Sequence, residues 1–291
     1  MKKDTAFLQA KKQRREPITM LTCYDYPTAA LEERAGIDVI FVGDSVGTNV
    51  LGYSSPTEVT LEDMVHHLRA ARRGVHDAFL LVDMPFGAYT SPDQALATAR
   101  TLRRYGADGV KLEGGLGQAP IVRSLVDEGF DVCGHIGFTP QTGGPRATLQ
   151  GRSFESAREL WQSALALEAA GVHLLVLELV PEAVSKLITE RLSIPTIGIG
   201  AGRYCDGQVQ VVNDILGITP FRVRHAKLYA SLGDLTAQAI EQYRADVEHG
   251  RFPEPAHVRD MRADEITKLE AWIQRDGARA SGEAGRTQGD Q

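Results

Sequence analysis

Five short apolar runs along this chain each carry polar, mostly ionisable residues at or near their ends. The runs are VIFVGDS (39–45), FLLVDMP (79–85), GVKLEGG (109–115), DVCGHIGF (131–138) and LLVLELV (174–180). Each run is typical of a buried strand, and the polar residues are Asp44, Asp83, Lys111 with Glu113, His135 and Glu178. Burying an unpaired carboxylate costs several kcal/mol. Four carboxylates at the same end of successive strands therefore predict a bound cation or substrate, and an active site, at that end.

Helical patterns separate these runs. Ser91 followed by proline predicts one helix start, Thr60 with Asp63 resembles a capping box, and Ser153 opens a third helix. Three further apolar runs are ITMLTCY (18–24), TIGIGAG (196–202) and QVQVVND (208–214), which bring the strand count to eight. Alternating strands and helices pair in parallel through right-handed crossovers. We therefore predict an α/β fold, a (β/α)8 TIM barrel; the alternative is an open doubly wound sheet, which would need a phosphate-binding first turn.

The size of the chain agrees with one barrel domain. It has 291 residues, of which 43% are hydrophobic and 24% charged, as in ordinary globular proteins. Barrels of this type take roughly 250 residues. We predict a catalytic barrel domain over residues 1–259 and a C-terminal extension over 260–291. Within the extension, segment 264–274 predicts a short amphipathic helix, and the Gly-, Ala-, Arg- and Glu-rich end predicts a disordered tail.

Charge and hydropathy exclude several classes of partner. The formal net charge is −6 and the chain has no sustained basic stripe, so we expect no nucleic-acid partner. Basic residues near the start (Lys11, Lys12, Arg14 and Arg15) predict a solvated helix face. No apolar stretch approaches the roughly 20 residues of a membrane span, and no secretory signal opens the chain. With three widely spaced cysteines as well, we expect a cytoplasmic protein without a membrane partner.

Asp44, Asp83 and Glu113 predict a metal site. They follow consecutive strands, and oxygen-only ligands from carboxylates are typical of Mg²⁺ rather than of zinc. The alternative for any one of them is that it caps the following helix or pairs with an arginine. For three carboxylates on consecutive strands we favour the metal site.

The other polar strand-end residues predict substrate contacts and proton transfer. Lys111 lies two residues before Glu113 on the same side of the strand, where its ammonium can bind a substrate anion or simply an internal carboxylate. His135 is either a hydrogen-bonded core histidine or a ligand contact. Glu178 lies among strongly apolar residues, so desolvation should raise its pKa toward that of a general base; structural pairing with a basic residue is the alternative.

Taken in order, these motifs resemble a known family. The segments that carry the resemblance are TCYDY, FVGDSVG, LLVDMPF, GVKLEGG, VCGHIGFTPQ, LQGR, SALALEAAG, LLVLELVP and IGIGAG followed by CDGQ. Together they are similar to the ketopantoate hydroxymethyltransferases, over about residues 8–257. The resemblance implies a (β/α)8 barrel related to phosphoenolpyruvate mutase and isocitrate lyase. It also implies transfer of a one-carbon unit from 5,10-methylenetetrahydrofolate to 3-methyl-2-oxobutanoate through a Mg²⁺-stabilised enolate, which forms ketopantoate for pantothenate and coenzyme A biosynthesis.

The resemblance also implies roles for individual residues. Asp44, Asp83 and Glu113 match the metal-site positions, and Glu178 matches the proton acceptor. The positions of the 2-oxo acid site are matched by Asp44, Ser45, Asp83 and Lys111, with Tyr24 and His135 near the ligand. Family members are commonly decamers, so a homo-oligomer is expected.

Three segments differ from the usual family pattern: residues 52–58, 141–150 and 219–228. All three lie in predicted loops, outside the predicted metal site. The alternative function is therefore that of a paralogue, a Mg²⁺-dependent aldolase, lyase or hydroxymethyltransferase that acts on another 2-oxo acid.

Overall fold

The computed structural model describes residues 2–143, 147–219 and 223–284. Parts of two of the segments that differ from the family pattern, residues 144–146 and 220–222, lie outside the described residues, as do residues 285–291 of the predicted tail.

Eight parallel strands close into a barrel in chain order, which confirms the predicted fold class. The strands are β1 (Ile18–Thr22), β2 (Val39–Val42), β3 (Phe79–Asp83), β4 (Gly109–Glu113), β5 (Asp131–Gly137), β6 (Leu174–Glu178), β7 (Thr196–Ile199) and β8 (Gly207–Gln210). The predicted run 208–214 is only partly a strand. Its last three residues begin helix α8, because the chain turns after Val211 and hydrogen bonds from residues 214 and 215 return to the Val211 carbonyl.

Ten α-helices accompany the strands within the described residues. They are α1 (Thr5–Arg14), α2 (Tyr26–Ala35), α3 (Leu61–Arg72), α4 (Pro92–Arg104), α5 (Ala119–Asp127), α6 (Phe154–Ala170), α7 (Glu182–Arg191), α8 (Val212–Leu216), α9 (Leu232–Glu248) and α10 (Ala263–Ala284). Short 3-10 turns span Pro56–Glu58, Leu116–Gln118 and Pro255–His257, and a π-helical turn spans Gly47–Leu51. Ser91 caps α4, Ser153 caps α6, and Thr60 forms a reciprocal capping box with Asp63, as the sequence predicts.

The strands alternate between two cores, and this alternation positions the site. Val39 and Phe41 of β2 point into the barrel, whereas Ile40 and Val42 pack against the surrounding helices. Successive side chains of a strand face opposite sides. The inward positions at the C-terminal ends of β3, β4, β5 and β6 are consequently taken by Asp83, Lys111, Glu113, His135 and Glu178, the polar residues of the opening pattern.

Helix α1 covers the N-terminal end of the barrel, and here one expectation was wrong. Leu8 is fully buried in the inner core, and the ammonium groups of Lys11 and Lys12 lie 2.6 Å from Asp38 and 2.7 Å from Asp206. These two lysine side chains are only 14% and 13% exposed, so they do not form a solvated face. They instead pair with aspartates that directly precede strands β2 and β8. Arg14 and Arg15 are exposed, as expected.

The chain packs as two compact units, residues 1–233 and residues 234–291. The second unit contains most of α9 and all of α10, and α10 includes the predicted amphipathic segment 264–274. The predicted domain boundary between residues 259 and 260 stays a prediction. Within the described residues, no helix combines the length and the apolar character that crossing a bilayer requires.

Candidate active site

The predicted site residues meet around one cavity of about 120 Å³ at the C-terminal end of the barrel. Its lining includes Asp44, Ser45, Asp83, Lys111, Glu113, His135 and Glu178. Strand register explains the proximity, because Asp83 lies directly opposite Lys111 and Glu113 directly opposite His135. Catalytic groups of this fold occur at the C-terminal face. The structure thus brings together seven of the eight residues that sequence reasoning singled out.

Lys111 is the central cation of the cluster. Its Nζ lies 2.5 Å from Oδ1 of Asp83 and 4.0 Å from Oε1 of Glu113. Burial alone would lower the pKa of Lys111, but the charges of Asp83, Glu113 and Asp44 outweigh it and raise that pKa above its usual range. The lysine is therefore charged at neutral pH, and the internal ion pair that the sequence left open is present.

Asp44 is the carboxylate with the least favourable surroundings. It is only 6% exposed, and its backbone N–H donates to Oδ2 of Asp83 at 3.0 Å, which brings the two aspartates together. Burial and then the charge of Asp83 raise the pKa of Asp44 well above its usual range. Burial likewise raises the pKa of Asp83 despite the contact with Lys111.

His135 lies between two carboxylates. Its Nδ1 is 3.3 Å from Oε1 of Glu113, and its Nε2 is 3.2 Å from Oε2 of Glu178. Neither nitrogen has the alignment of a hydrogen bond, so these are charge contacts. Burial and the charge of Lys111 would lower the pKa of His135, but the two glutamates raise it to about 9. The apolar residues on either side of Glu178 in the sequence suggest an isolated carboxylate, but the structure differs. Glu178 has an imidazolium neighbour, and its side chain is 17% exposed.

The backbone after Glu178 is held in an uncommon conformation. Leu179 has φ +48°, a region that residues with a side chain rarely adopt. Two hydrogen bonds hold it: its N–H donates to Ile199 and its carbonyl accepts from Gln150. Across the sheet, a Cβ on Gly137 would lie 2.1 Å from the carbonyl oxygen of Glu178, so only glycine fits there. Such strain persists only where the surrounding structure holds the backbone, as it does here at the end of β6.

Tyr24 contacts the site through a neighbour. It is 3% exposed, and its hydroxyl hydrogen bonds to Oγ of Ser45 at 2.8 Å. Ser45 lines the cavity, whereas Tyr24 packs behind it. Burial raises the pKa of Tyr24, so its hydroxyl remains protonated. The predicted ligand contact of Tyr24 stays a prediction.

Sequence reasoning missed three residues of this region. Gln141 donates from its side chain to Asp44 and from its backbone to Glu113, and Tyr89 contacts both Gln141 and Glu113. Gln141 stands in the TPQ segment, which entered the sequence analysis only through the family resemblance. His225 is half-buried beside Gly200; burial lowers its pKa despite the charges of Glu178 and Asp214. No local spacing connects His225 to the strand ends.

The donor set fits a hard divalent cation. If all four carboxylates were ionised, Lys111 and a protonated His135 would leave an excess of two negative charges. The raised pKa of Asp44 shows that the cluster does not hold all of this charge unaided. Oxygen donors suit Mg²⁺. No three His, Cys, Asp or Glu side chains within the described ranges are grouped as a ready-made ligand set, so joint ligation by Asp44, Asp83 and Glu113 stays a prediction.

Sequence comparison identifies the family. A family model for ketopantoate hydroxymethyltransferase matches residues 2–255. This chain belongs to the ketopantoate hydroxymethyltransferase family. One relative, the 3-methyl-2-oxobutanoate hydroxymethyltransferase of Roseiflexus sp. (strain RS-1), is 50% identical over 275 residues, which cover 93% of this chain and 98% of the relative. The protein of that name from Thermus thermophilus is 50% identical over 257 residues, or 86% of this chain and 97% of the relative.

Solved structures with low sequence identity share the fold of this hydroxymethyltransferase. A phosphonopyruvate hydrolase in complex with oxalate and Mg²⁺ superposes with a TM-score of 0.59 at 11% identity, covering 96% of this chain and 98% of the hydrolase. A 2,3-dimethylmalate lyase of the PEP mutase/isocitrate lyase superfamily gives 0.55 at 14% identity, with 97% and 99% covered. The predicted family and the transferase class are confirmed, and the solved structures share the fold.

Proposed function

We propose that this enzyme transfers a hydroxymethyl group from 5,10-methylenetetrahydrofolate to 3-methyl-2-oxobutanoate and so forms ketopantoate. The observation that carries the proposal is the cavity itself, in which a carboxylate–lysine cluster and Glu178 face the same small space. The names of relatives at 50% identity support the same oxo acid. The product would enter pantothenate and coenzyme A biosynthesis.

We assign Mg²⁺ to the side of the cavity formed by Asp44 and Asp83, with Glu113 as the third predicted ligand. The excess negative charge supports this assignment. A protein of the same fold binds Mg²⁺ with oxalate, a small dianion whose paired oxygens resemble those of a 2-oxo acid. When bound, Mg²⁺ would supply Lewis-acid stabilisation of negative charge on the substrate.

Glu178 is the proposed base that removes the C3 proton of the oxo acid. It stands across the cavity from the aspartates, with its carboxylate 3.2 Å from the His135 ring. His135 would orient Glu178 before proton transfer, because its Nε2 lies 3.2 Å from the Glu178 carboxylate.

Lys111 and Ser45 would bind the oxo acid. Lys111 is charged and buried, so it can hold the negative end of the substrate in a region that excludes water. Ser45 presents a hydroxyl oriented by Tyr24. After proton removal, C3 would form a bond to the methylene carbon carried by the folate. The two C–N bonds of that carbon break, water supplies the hydroxyl oxygen, and tetrahydrofolate leaves. From family membership we also propose a cytoplasmic homo-oligomer, a decamer by resemblance.

The deciding assay combines the purified protein with Mg²⁺, 5,10-methylenetetrahydrofolate and either 3-methyl-2-oxobutanoate or an alternative 2-oxo acid. We expect ketopantoate from the first oxo acid, and loss of product when Mg²⁺ is removed by EDTA. Turnover of another oxo acid without ketopantoate formation would instead establish the paralogue.

A further inference from the structure

A buried amide connects two of the predicted metal ligands. Gln141 is 4% exposed, and its Nε2 donates to Oδ2 of Asp44 at 2.8 Å and to the carbonyl of Met84 at 3.1 Å. Its backbone N–H donates to Oε2 of Glu113 at 3.0 Å. One residue in the loop after β5 thus contacts both Asp44, which follows β2, and Glu113, which ends β4.

Tyr89 completes the arrangement. Its hydroxyl donates to Oε1 of Gln141 and accepts from the backbone N–H of Glu113 at 3.3 Å. A hydroxyl can donate one hydrogen bond, and that of Tyr89 donates to the amide oxygen of Gln141. Tyr89 is 7% exposed, so water offers little competition for these contacts.

These contacts allow only one orientation of the Gln141 amide. The Met84 carbonyl can only accept and the Asp44 carboxylate is an acceptor when charged, so both require the NH₂ end. Reversing the amide would place its oxygen against both acceptors and leave the Tyr89 hydroxyl facing an NH₂ group. The side chain is therefore fixed from both ends.

We propose that Tyr89 and Gln141 are positioning residues that hold Asp44 in its metal-binding orientation; this inference rests on the proposed function. Gln141 occupies Oδ2 of Asp44, and within the described residues no side chain donates to Oδ1, which is left for a ligand. The same residue fixes one oxygen of Glu113. Partners of this kind, one bond removed from a metal, commonly change metal affinity by about 10- to 100-fold when they are lost.

The test is the Mg²⁺ dissociation constant of the full-length protein, measured by titration calorimetry without substrate. We expect Gln141→Leu to raise it by about 10- to 100-fold, and Tyr89→Phe, which keeps the ring and removes only the hydroxyl, to raise it by roughly ten-fold or less. In both variants the rate should recover at high Mg²⁺, so that the Mg²⁺ requirement rises more than kcat falls. Gln242→Leu is the matched control, since Gln242 also donates to an aspartate, Asp246, at 2.8 Å, but on the exposed surface of α9.

The outcomes separate the two proposals. Unchanged Mg²⁺ affinity in folded Tyr89→Phe and Gln141→Leu, with a wild-type protein that binds Mg²⁺ and forms ketopantoate, overturns the positioning role alone. Wild-type protein that binds no Mg²⁺ overturns the proposed function and the positioning role with it. If Gln141→Leu does not fold, Tyr89→Phe decides: weaker Mg²⁺ binding at an unchanged Tm supports the role, and unchanged binding overturns it.

Discussion

Carboxylates that are buried or partly buried have different partners at the two ends of the barrel. At the N-terminal end, three aspartates that directly precede strands each have a lysine partner: Asp38, Asp108 and Asp206. At the C-terminal end, Asp44, Asp83, Glu113 and Glu178 share Lys111 and His135. The N-terminal aspartates are neutralised by lysines of the same chain, whereas the four C-terminal carboxylates have only two cationic neighbours.

The N-terminal pairs have a structural role. Each aspartate also accepts a backbone N–H from the neighbouring strand, as Asp38 does from Thr19 at 3.0 Å and Asp206 does from Thr196 at 2.8 Å. Their lysines come from α1 and the residues before it, so the pairs attach this segment to the barrel. Satisfied hydrogen bonds of this kind stabilise a fold without requiring a ligand.

The C-terminal cluster leaves several of its groups without such partners. The charge of Asp83 contributes to the raised pKa of Asp44, and both nitrogens of His135 lack aligned partners. Sites that bind or react commonly keep such unfavourable groups. The comparison predicts that substitutions in the C-terminal cluster lower catalytic activity. Substitutions in the N-terminal aspartate–lysine pairs should lower stability alone.

The largest effect should follow from Glu178→Gln. The amide keeps the size of the side chain but cannot take a proton, so we expect kcat to fall by about 10²- to 10⁴-fold. Exchange of the C3 proton of 3-methyl-2-oxobutanoate with deuterated solvent, followed by NMR, should slow by a similar factor, while Mg²⁺ still binds.

Glu182→Gln is the control for this change. Glu182 lies four residues later at the start of α7, is more exposed, and pairs with Arg203. Its loss should leave exchange unchanged. Wild-type exchange rates in Glu178→Gln would show that another group is the base.

The next effect compares the same substitution at the two ends. Lys111→Met leaves Asp83 and Glu113 buried without their lysine, and removing one partner of a buried ion pair costs about 3–5 kcal/mol. Lys11→Met leaves Asp38 with Lys3, 3.0 Å away, so we expect a loss of about 1 kcal/mol. Urea denaturation measures both, and kcat should fall only in Lys111→Met.

Equal losses of unfolding free energy in Lys111→Met and Lys11→Met would contradict the proposed difference between the two ends of the barrel. So would a fall in kcat of ten-fold or more in Lys11→Met, because that lysine lies at the end of the barrel opposite to the active site.

Most of this architecture can be predicted from the sequence, because the side chains of a strand alternate between its two faces. Once Asp83, Lys111 and Glu113 are placed on strands, their inward direction and their common end follow from parallel pairing. The opening pattern therefore predicts the barrel and the position of the active-site cavity. Strand ends are less well defined, as in run 208–214, where helix α8 begins inside an apolar run.

Contacts between distant segments were not predictable in the same way. Gln141 meets Asp44 across 97 positions, and Lys12 meets Asp206 across 194. Neither pair has a local spacing that marks it. A lysine on a short helix predicts solvent exposure, and only the closed barrel places aspartates opposite Lys11 and Lys12. The apolar neighbours of Glu178 in sequence likewise give no sign of His135 beside it.

The smallest effect concerns pH at the N-terminal end. Burial would raise the pKa of Asp38, but hydrogen bonds from Lys11, Thr19 and Lys3 outweigh it and lower that pKa below the usual range. The unfolded aspartate titrates near about 3.9. Its contribution to stability is therefore complete above that pH and is lost as the pH falls through the lower folded value.

Asp38→Asn tests this dependence. At pH 7 we expect it to lower the free energy of unfolding by about 1–2 kcal/mol, with kcat unchanged. The difference from wild type should shrink as the pH falls from about 4 through the lowered folded pKa, because the unfolded aspartate takes up its proton first and the folded one only at the lower value. Urea denaturation between pH 7 and pH 3 measures it. A difference that grows toward low pH would mean that Asp38 is stabilised in its protonated form. The Asp38–Lys11 pair would then not stabilise the N-terminal end as a charged pair, and the proposed contrast between the two ends would be wrong.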